Sequence, residues 1–543
     1  MPQHWTRTRV HIVGDEKPVE EPPYLPGASS HGVNKQPAAP SKELFLKFGR
    51  LFHRSDPKDD AERDLLVQSL TRLGRCMSGD AEACRPAGGP AVSGDADTPS
   101  GYTYLGQLVA HETTFHKTEA LDTTAAATLP DNARSPQIDL DSLYGAGPDD
   151  PVDKRLYEDD KVRLRVGLTE PVAGANREYP NDLPRQRSSP QGALEALVGD
   201  PRNDENLAVA QTHVALVRFH NKVVDALAPS TPAAELFKSA RRTVVQHFQW
   251  VVLEDYLPRI VNPTVLNCVR RHPPVCYTTA DPFMPVEFSA AAFRVGHSMV
   301  RPSYDWNTLH SAAPFGGGVA QLSQLFRFTN FSGDLGGRPR LPSSWVVDWR
   351  RFYDFDHLPH VARLDPLYRN KARRIDTIFN LRLEDVPGYP HVDLQRHMRA
   401  ITVRNLLRGL SFGLPPGEEV AARLGETPLT RDEVCRGPHE EVLRSPVFEG
   451  RTPLWYYILK EAELGGGQRL GPVGGRIVAE TFLGLIRKSE HSILGEPGWQ
   501  PSLGRTDPQT GRKHFGMADL IDFAGVVDPI GEHERALLSK QNP

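Results

Sequence analysis

The stretch DENLAVAQTHVALVRFHNKVVDAL, residues 204–227, decides the fold class. Leu207, Ala210, Val214, Val217, Val224 and Leu227 recur at steps of three, four and seven, which places them on one face of an α-helix. Asn203 or Asp204 is the expected cap, and Glu205 suits the positive end of the helix. Residues 232–258 repeat the pattern through Leu236, Ala240, Val244, Phe248, Val251 and Tyr256, after a Thr231-Pro232 start signal. Working outward, a helix is expected from near Thr103, with Leu105, Leu108 and Val109 on one side and Gln107 and His111 on another. Further helices are expected after Pro285 and over about 366–382, 391–410, 453–464 and 473–488. No run of alternating strands, internal repeat or GxxxxGK[ST] phosphate loop stands out. The expected class is mainly α, one large helical domain with long loops.

Composition narrows the function. The chain has 543 residues, 39% of them hydrophobic and 24% charged, a balance with ample length for a core. Basic residues (64) fall short of acidic ones (68), for a formal charge of −4, which argues against a nucleic-acid binder. With 45 Gly and 48 Pro, many turns and long ordered loops are expected. Residues 1–44 read as a Pro-rich arm. No apolar run reaches the length of a transmembrane span, and the first residues lack the apolar core of a secretory signal. A cytoplasmic location is expected, or export by a route without a classical signal peptide. The five cysteines, Cys76, Cys84, Cys268, Cys276 and Cys435, do not have zinc-site spacing and are expected to be reduced thiols, with one or two disulfides if the protein is exported.

Four short segments carry chemistry. GQLVAHETTFH, 106–116, puts Gln107 and His111 on one helix face, though a helical histidine is more often structural. AAFRVGHSMV, 291–300, sets His297 beside Gly296, which costs about 1 kcal/mol in a helix and suits close approach of a flat ligand as well as plain helix packing. SPQIDLDSLYG, 135–145, carries the Asp139/Asp141 pair, either oxygen ligands for a hard cation or a solvated turn. GDPRNDEN, 199–206, places Arg202 and Glu205 just ahead of the strong helix.

In order and spacing these segments resemble the animal-type haem peroxidases of the peroxidase–cyclooxygenase superfamily. The resemblance rests on Gln107-x3-His111, Asp139-Leu-Asp141-Ser-Leu-Tyr144-Gly145, Arg202-Asn-Asp-Glu205, Phe293-Arg294-Val-Gly296-His297, and Asn405-x-x-Arg408 before Gly413-Leu414-Pro415. PLWYYILKEAE (453–463) and GPVGGRIVAETFLGLI (471–486) look like a bacterial branch. It implies a haem peroxidase domain over 45–543. His297 would be the proximal iron ligand, with Asn405 accepting its other ring N–H, and Arg294 and Arg408 would pair with haem propionates. On the opposite face His111 would shuttle a proton, Arg202 would stabilise developing charge, and Gln107 would bond a distal water or halide.

The implied reaction reduces hydrogen peroxide and, through a ferryl intermediate, oxidises a small-molecule donor or a halide. The implied cofactors are haem b and Ca²⁺, the latter held by Glu112, Ser135, the carbonyl of Gln137, Asp139 and Asp141. Glu112 stands where members usually carry Asp, and Asp141 where serine is usual. Ala110 and Asn206 replace residues that link haem covalently in some members, so the haem is expected to be mostly non-covalent, with Glu205 the one candidate for an ester. Two alternatives remain. A fatty-acid dioxygenase of the same superfamily would need a tyrosine three residues before His297, where Arg294 stands; Tyr304 is the other tyrosine considered. A catalytically silent haem-binding protein would be expected to have lost a residue of this set.

Overall fold

The computed structural model describes residues 48–80, 83, 94–115, 129, 131–187, 194–279, 282–314, 316–332, 334–379, 400–506 and 511–532. The arm expected over 1–44 lies outside them, as do 391–399 of the helix expected at 391–410. The fold is mainly α. Among the described residues, seven helices of eleven or more residues carry it: α1 (Asp60–Met77), α2 (Gly101–Thr113), α3 (Leu207–Leu227), α4 (Ala233–Trp250), α5 (Ile401–Ser411), α6 (Leu454–Leu464) and α7 (Pro472–Arg487). Described strands form only short two-stranded pairs. No helix among the described residues is long and apolar enough to cross a membrane.

Local chemistry sets the helix ends. Asp59 caps α1 by accepting from the Glu62 N–H at 2.8 Å. The cap of α3 is Asn206, which accepts from the Val209 N–H at 3.1 Å, and not Asn203 or Asp204. Those two belong to a 3₁₀ turn, Pro201–Asp204, capped in its turn by Asp200. That extra turn presents Arg202 and Asn203 sideways, toward α2. Pro232, not Thr231, occupies the cap of α4. Beyond Trp250 the helix widens into a π turn, Val251–Tyr256, before closing as Leu257–Ile260. Such π segments often sit at functional sites.

Two expected helices differ. The one after Pro285 breaks at Ala291, giving a short α segment, Val286–Ala290, and a 3₁₀ run, Ala292–Met299, that carries His297. Over 366–379 there is no α-helix: Pro366–Tyr368 is a 3₁₀ turn and Lys371–Arg373 pairs antiparallel with Asp95–Pro99. Pairing with a distant strand overrides local helix preference there.

One large apolar core, from Phe48 to Val527, holds these helices together. Helix α3 packs on α2 and α4, and α1 on α5. Gly101 starts α2 against Tyr353, whose ring would lie 2.4 Å from a Cβ there. The reduced-thiol expectation fails at Cys76, which is disulfide-bonded, its partner lying outside the described residues. Cys268, Cys276 and Cys435 are free thiols.

Candidate active site

Thr103, Gly106, Gln107, Ala110, His111 and Thr114 line one wall of a cavity. Their spacing is one helical face, so α2 alone builds that wall. His111 is buried, its Nδ1 lies 2.9 Å from the Asn203 side-chain oxygen, and its Nε2 has no hydrogen-bond partner. Burial and the Arg202 charge pull its pKa down to about 3, so the ring is a neutral base at ordinary pH. The Gln107 amide donates to Glu205 Oε2 at 2.9 Å and accepts from the Asn206 amide at 3.0 Å. Glu205 Oε2 also lies 3.7 Å from His111 Nε2.

Arg202 lines the same cavity, but much of its guanidinium is committed. It donates to Asp200, to the His111 carbonyl at 3.0 Å and to the Thr114 carbonyl at 2.6 Å, and lies over the Phe115 ring. It therefore clamps the last turn of α2, as well as setting positive charge beside His111.

Phe288, Ser289, Phe293, Arg294, Gly296, His297 and Met299 form the facing wall, joined by Tyr256 from the π turn. His297 is buried, and its Nδ1 lies 2.9 Å from the Asn405 amide nitrogen. Arg294 donates to the Asn405 side-chain oxygen at 2.9 Å and to the Ser289 carbonyl. A guanidinium has no acceptor, so the amide oxygen must face Arg294 and its N–H must face His297. The direction is the reverse of the one expected: Asn405 donates. Burial first, then the charges of Arg294 and Arg404, keep the His297 pKa well below its usual value. Arg408 is buried beside the Phe412 ring. Tyr304 is not among the cavity-lining residues; its hydroxyl pairs with that of Tyr104 at 2.9 Å.

Behind α2, Glu112, Asp139 and Asp141 offer buried carboxylate oxygens within 4.8 Å of one another. Burial, and then the neighbouring aspartates, push the Glu112 carboxyl well above the usual range; burial raises Asp139. Asp139 Oδ1 has no hydrogen-bond partner. Glu112 accepts from the backbone N–H groups of Asp141 and Ser142, so the longer side chain still reaches the loop. The Ser135 N–H donates to Asp141. The Gln137 side chain turns away to accept from the Glu490 N–H, which leaves only its carbonyl for the cluster.

Residues 102–328 match the family model of the animal haem peroxidases. The protein is 23% identical to heme peroxidase 2 of Caenorhabditis elegans over 372 residues, covering 64% of this chain and 46% of that protein. The chain spans less than half the length of the curated relatives it first matches. Its fold is similar to peroxidase A of Dictyostelium discoideum (TM-score 0.55, 18% identity, 86% of this chain and 91% of that one). It is also similar to the fatty acid alpha-dioxygenase of Oryza sativa (TM-score 0.54, 12% identity, 92% of this chain and 85% of that one).

Similarity to the animal haem peroxidases would bring haem to this cavity, and its lining fits that group. His111 and His297, both buried, line it together, and the Gly296 Cα borders open space, since a Cβ there would meet nothing within 4 Å. Nε2 of His297 faces away from Asn405 and is the nitrogen that would bind iron, but because Nδ1 accepts from Asn405 here, ligation would require the ring proton to move to Nδ1 and the Asn405 amide to turn over. The structure thus brings Gln107, His111, Arg202, Glu205, Arg294, His297 and Asn405 into one region. Asn203, His213, Tyr256 and Arg404 were missed from sequence; only the adjacency of Asn203 to Arg202 and of Arg404 to Asn405 could have flagged any of them.

Proposed function

We propose that the protein is a haem-dependent peroxidase that reduces hydrogen peroxide and oxidises small organic donors or halides. The observation that carries this reading is the buried Nε2 of His111, without a hydrogen-bond partner, in the cavity that His297 also lines. Haem, held by His297 with Arg294 and Arg408 near its propionates, would supply the redox chemistry. His111 Nε2 takes a proton from hydrogen peroxide and returns it to the departing oxygen, a transfer worth about 10²–10⁴-fold. Gln107, fixed between Glu205 and Asn206, orients a distal water or halide. Arg202 adds fixed positive charge where negative charge develops.

Calcium fits the three-carboxylate cluster, whose oxygens suit a hard cation. With Ala110 and Asn206 at the other linking positions, haem is mostly non-covalent, Glu205 being the one candidate for an ester. The bacterial branch rests on the sequence likeness of segments 453–463 and 471–486 alone. The disulfide at Cys76 supports export to an oxidising compartment over the cytoplasm.

The test compares peroxide-dependent oxidation of a phenolic dye with oxygen uptake on linoleate, at equal haem-loaded protein. Dye oxidation with little oxygen uptake is expected, because Arg294 stands where a dioxygenase needs its tyrosine. Fast oxygen uptake with negligible dye oxidation overturns the reading, and absence of a Soret band removes it altogether.

A further inference from the structure

We propose that Asn203, itself held by His213, is a positioning residue that fixes which ring nitrogen of His111 carries the proton. The inference rests on the reading of His111 as proton acceptor. A neutral imidazole has one N–H and one lone pair, and it can serve the cavity as a base only with the lone pair on Nε2. What decides this is the partner at Nδ1.

That partner is a side-chain amide with a donor end and an acceptor end. Asn203 is fully buried in the Pro201–Asp204 turn. Its oxygen faces His111 Nδ1 at 2.9 Å and its nitrogen faces His213 Nδ1 at 3.1 Å. An amide nitrogen only donates, so His213 accepts at Nδ1 and carries its own proton on Nε2. With its nitrogen thus engaged, the amide presents oxygen to His111, and the His111 proton must sit on Nδ1. His213 projects from the buried start of α3, two turns after the Asn206 cap, so a rigid helix fixes the ring against which the amide nitrogen is set. A flipped amide would place a donor against His111, move the proton to Nε2 and leave the cavity with no base. The Asn203–His213 pair is thus what makes the distal wall basic, while touching no substrate itself.

Nitrogen-15 histidine labelling of the haem-free protein reads the tautomer directly through multiple-bond nitrogen–proton correlations, with the His111 signals assigned as those lost in His111→Gln. Protonated Nδ1 and bare Nε2 are expected at His111, with the reverse at His213. In His213→Phe the amide is released, and the His111 signals should shift toward a mixture. In the haem-loaded protein, cyanide binding, which needs a base to take the proton of hydrogen cyanide, should slow about tenfold or more in Asn203→Leu. Asn203→Asp, which keeps an acceptor at Nδ1, should recover most of that rate.

A wild-type His111 protonated on Nε2 overturns the proposal, and needs no variant to fold. Equal cyanide rates in the Leu and Asp variants also overturn it. Protonated Nδ1 in a protein that ignores peroxide would instead sink the proposed function and leave this positioning role standing.

Discussion

The Arg134 guanidinium lies 2.6 Å from Asp200 Oδ2, and both side chains are buried. Arg134 also reaches Asp141 of the carboxylate cluster, and Asp200 also binds Arg202 on the cavity wall. Burial opposes ionisation of Asp200, but the two arginines outweigh it and hold its carboxyl well below the usual range. One continuous ionic chain therefore runs from the candidate cation site to the residue that clamps the end of α2.

Chelation should be felt along that chain. Arg134 offsets only part of the charge that three buried, ionised carboxylates would carry, which leaves room for a metal cation. Calcium is expected to raise the midpoint of thermal unfolding, and a chelator to lower it, by about 2–4 kcal/mol of stability at saturating metal. Calorimetry with and without calcium checks this, and an unchanged midpoint counts against a cation site.

The two cavity glycines should behave oppositely. Gly296→Leu projects into open space, so the haem-free protein should keep its stability within about 0.5 kcal/mol while haem retention falls sharply. Gly106→Ala meets the Tyr256 hydroxyl at 2.4 Å and should cost about 1–3 kcal/mol. Denaturant unfolding alongside haem titration separates the two effects; full haem binding by Gly296→Leu would misplace the cavity.

Glu461 gives a pH dependence with a definite sign. Burial pushes its carboxyl up to about 7, although the Val473 and Gly474 N–H groups at the start of α7 favour its ionised form. Its pKa is raised on folding, so the folded state holds a proton that the unfolded state releases between about 4.5 and 7. Stability from this group is present below that window and lost as pH rises through it, by at most about 3 kcal/mol. In Glu461→Gln the fall in stability between pH 5 and pH 7.5 should shrink by about one proton's worth.

His220 acts in the opposite direction. Its Nε2 donates to the Val162 carbonyl at 2.8 Å, and its Nδ1 pairs with the Tyr144 hydroxyl at 3.0 Å, a geometry the neutral ring satisfies. Burial lowers its pKa to about 4, so the stability it contributes is present above about 6.5 and lost as pH falls toward 4. Replacing it with Gln should flatten the acid limb of the stability profile by about one proton. An unaltered slope would mean that the ring already titrates normally.

Much of the site was legible in the sequence because its pieces are local. Gln107 and His111 share one helical turn, Asp139 and Asp141 share one loop, and Gly296 adjoins His297. Long helices were legible where apolar spacing ran for several turns, as in α3 and α4. The failures are tertiary. Nothing local shows that Lys371–Arg373 would meet a strand nearly three hundred residues earlier in the chain, or that Asn203 and His213 would converge behind His111. The direction of the Asn405 hydrogen bond was likewise unreadable, because it depends on which atom Arg294 faces.

The π turn at Val251–Tyr256 bears on how relatives should be aligned. A π turn accommodates one residue more than an α turn, so it amounts to a single-residue insertion absorbed inside a helix. A relative with an unbroken α-helix here would be out of phase by one position, about 100° around the axis, on one side of the turn. Gaps placed in the flanking loops would then pair the wrong side chains throughout the intervening helix. The correct gap falls within these six residues, and it decides whether the counterpart of Tyr256 is recognised as a cavity residue at all.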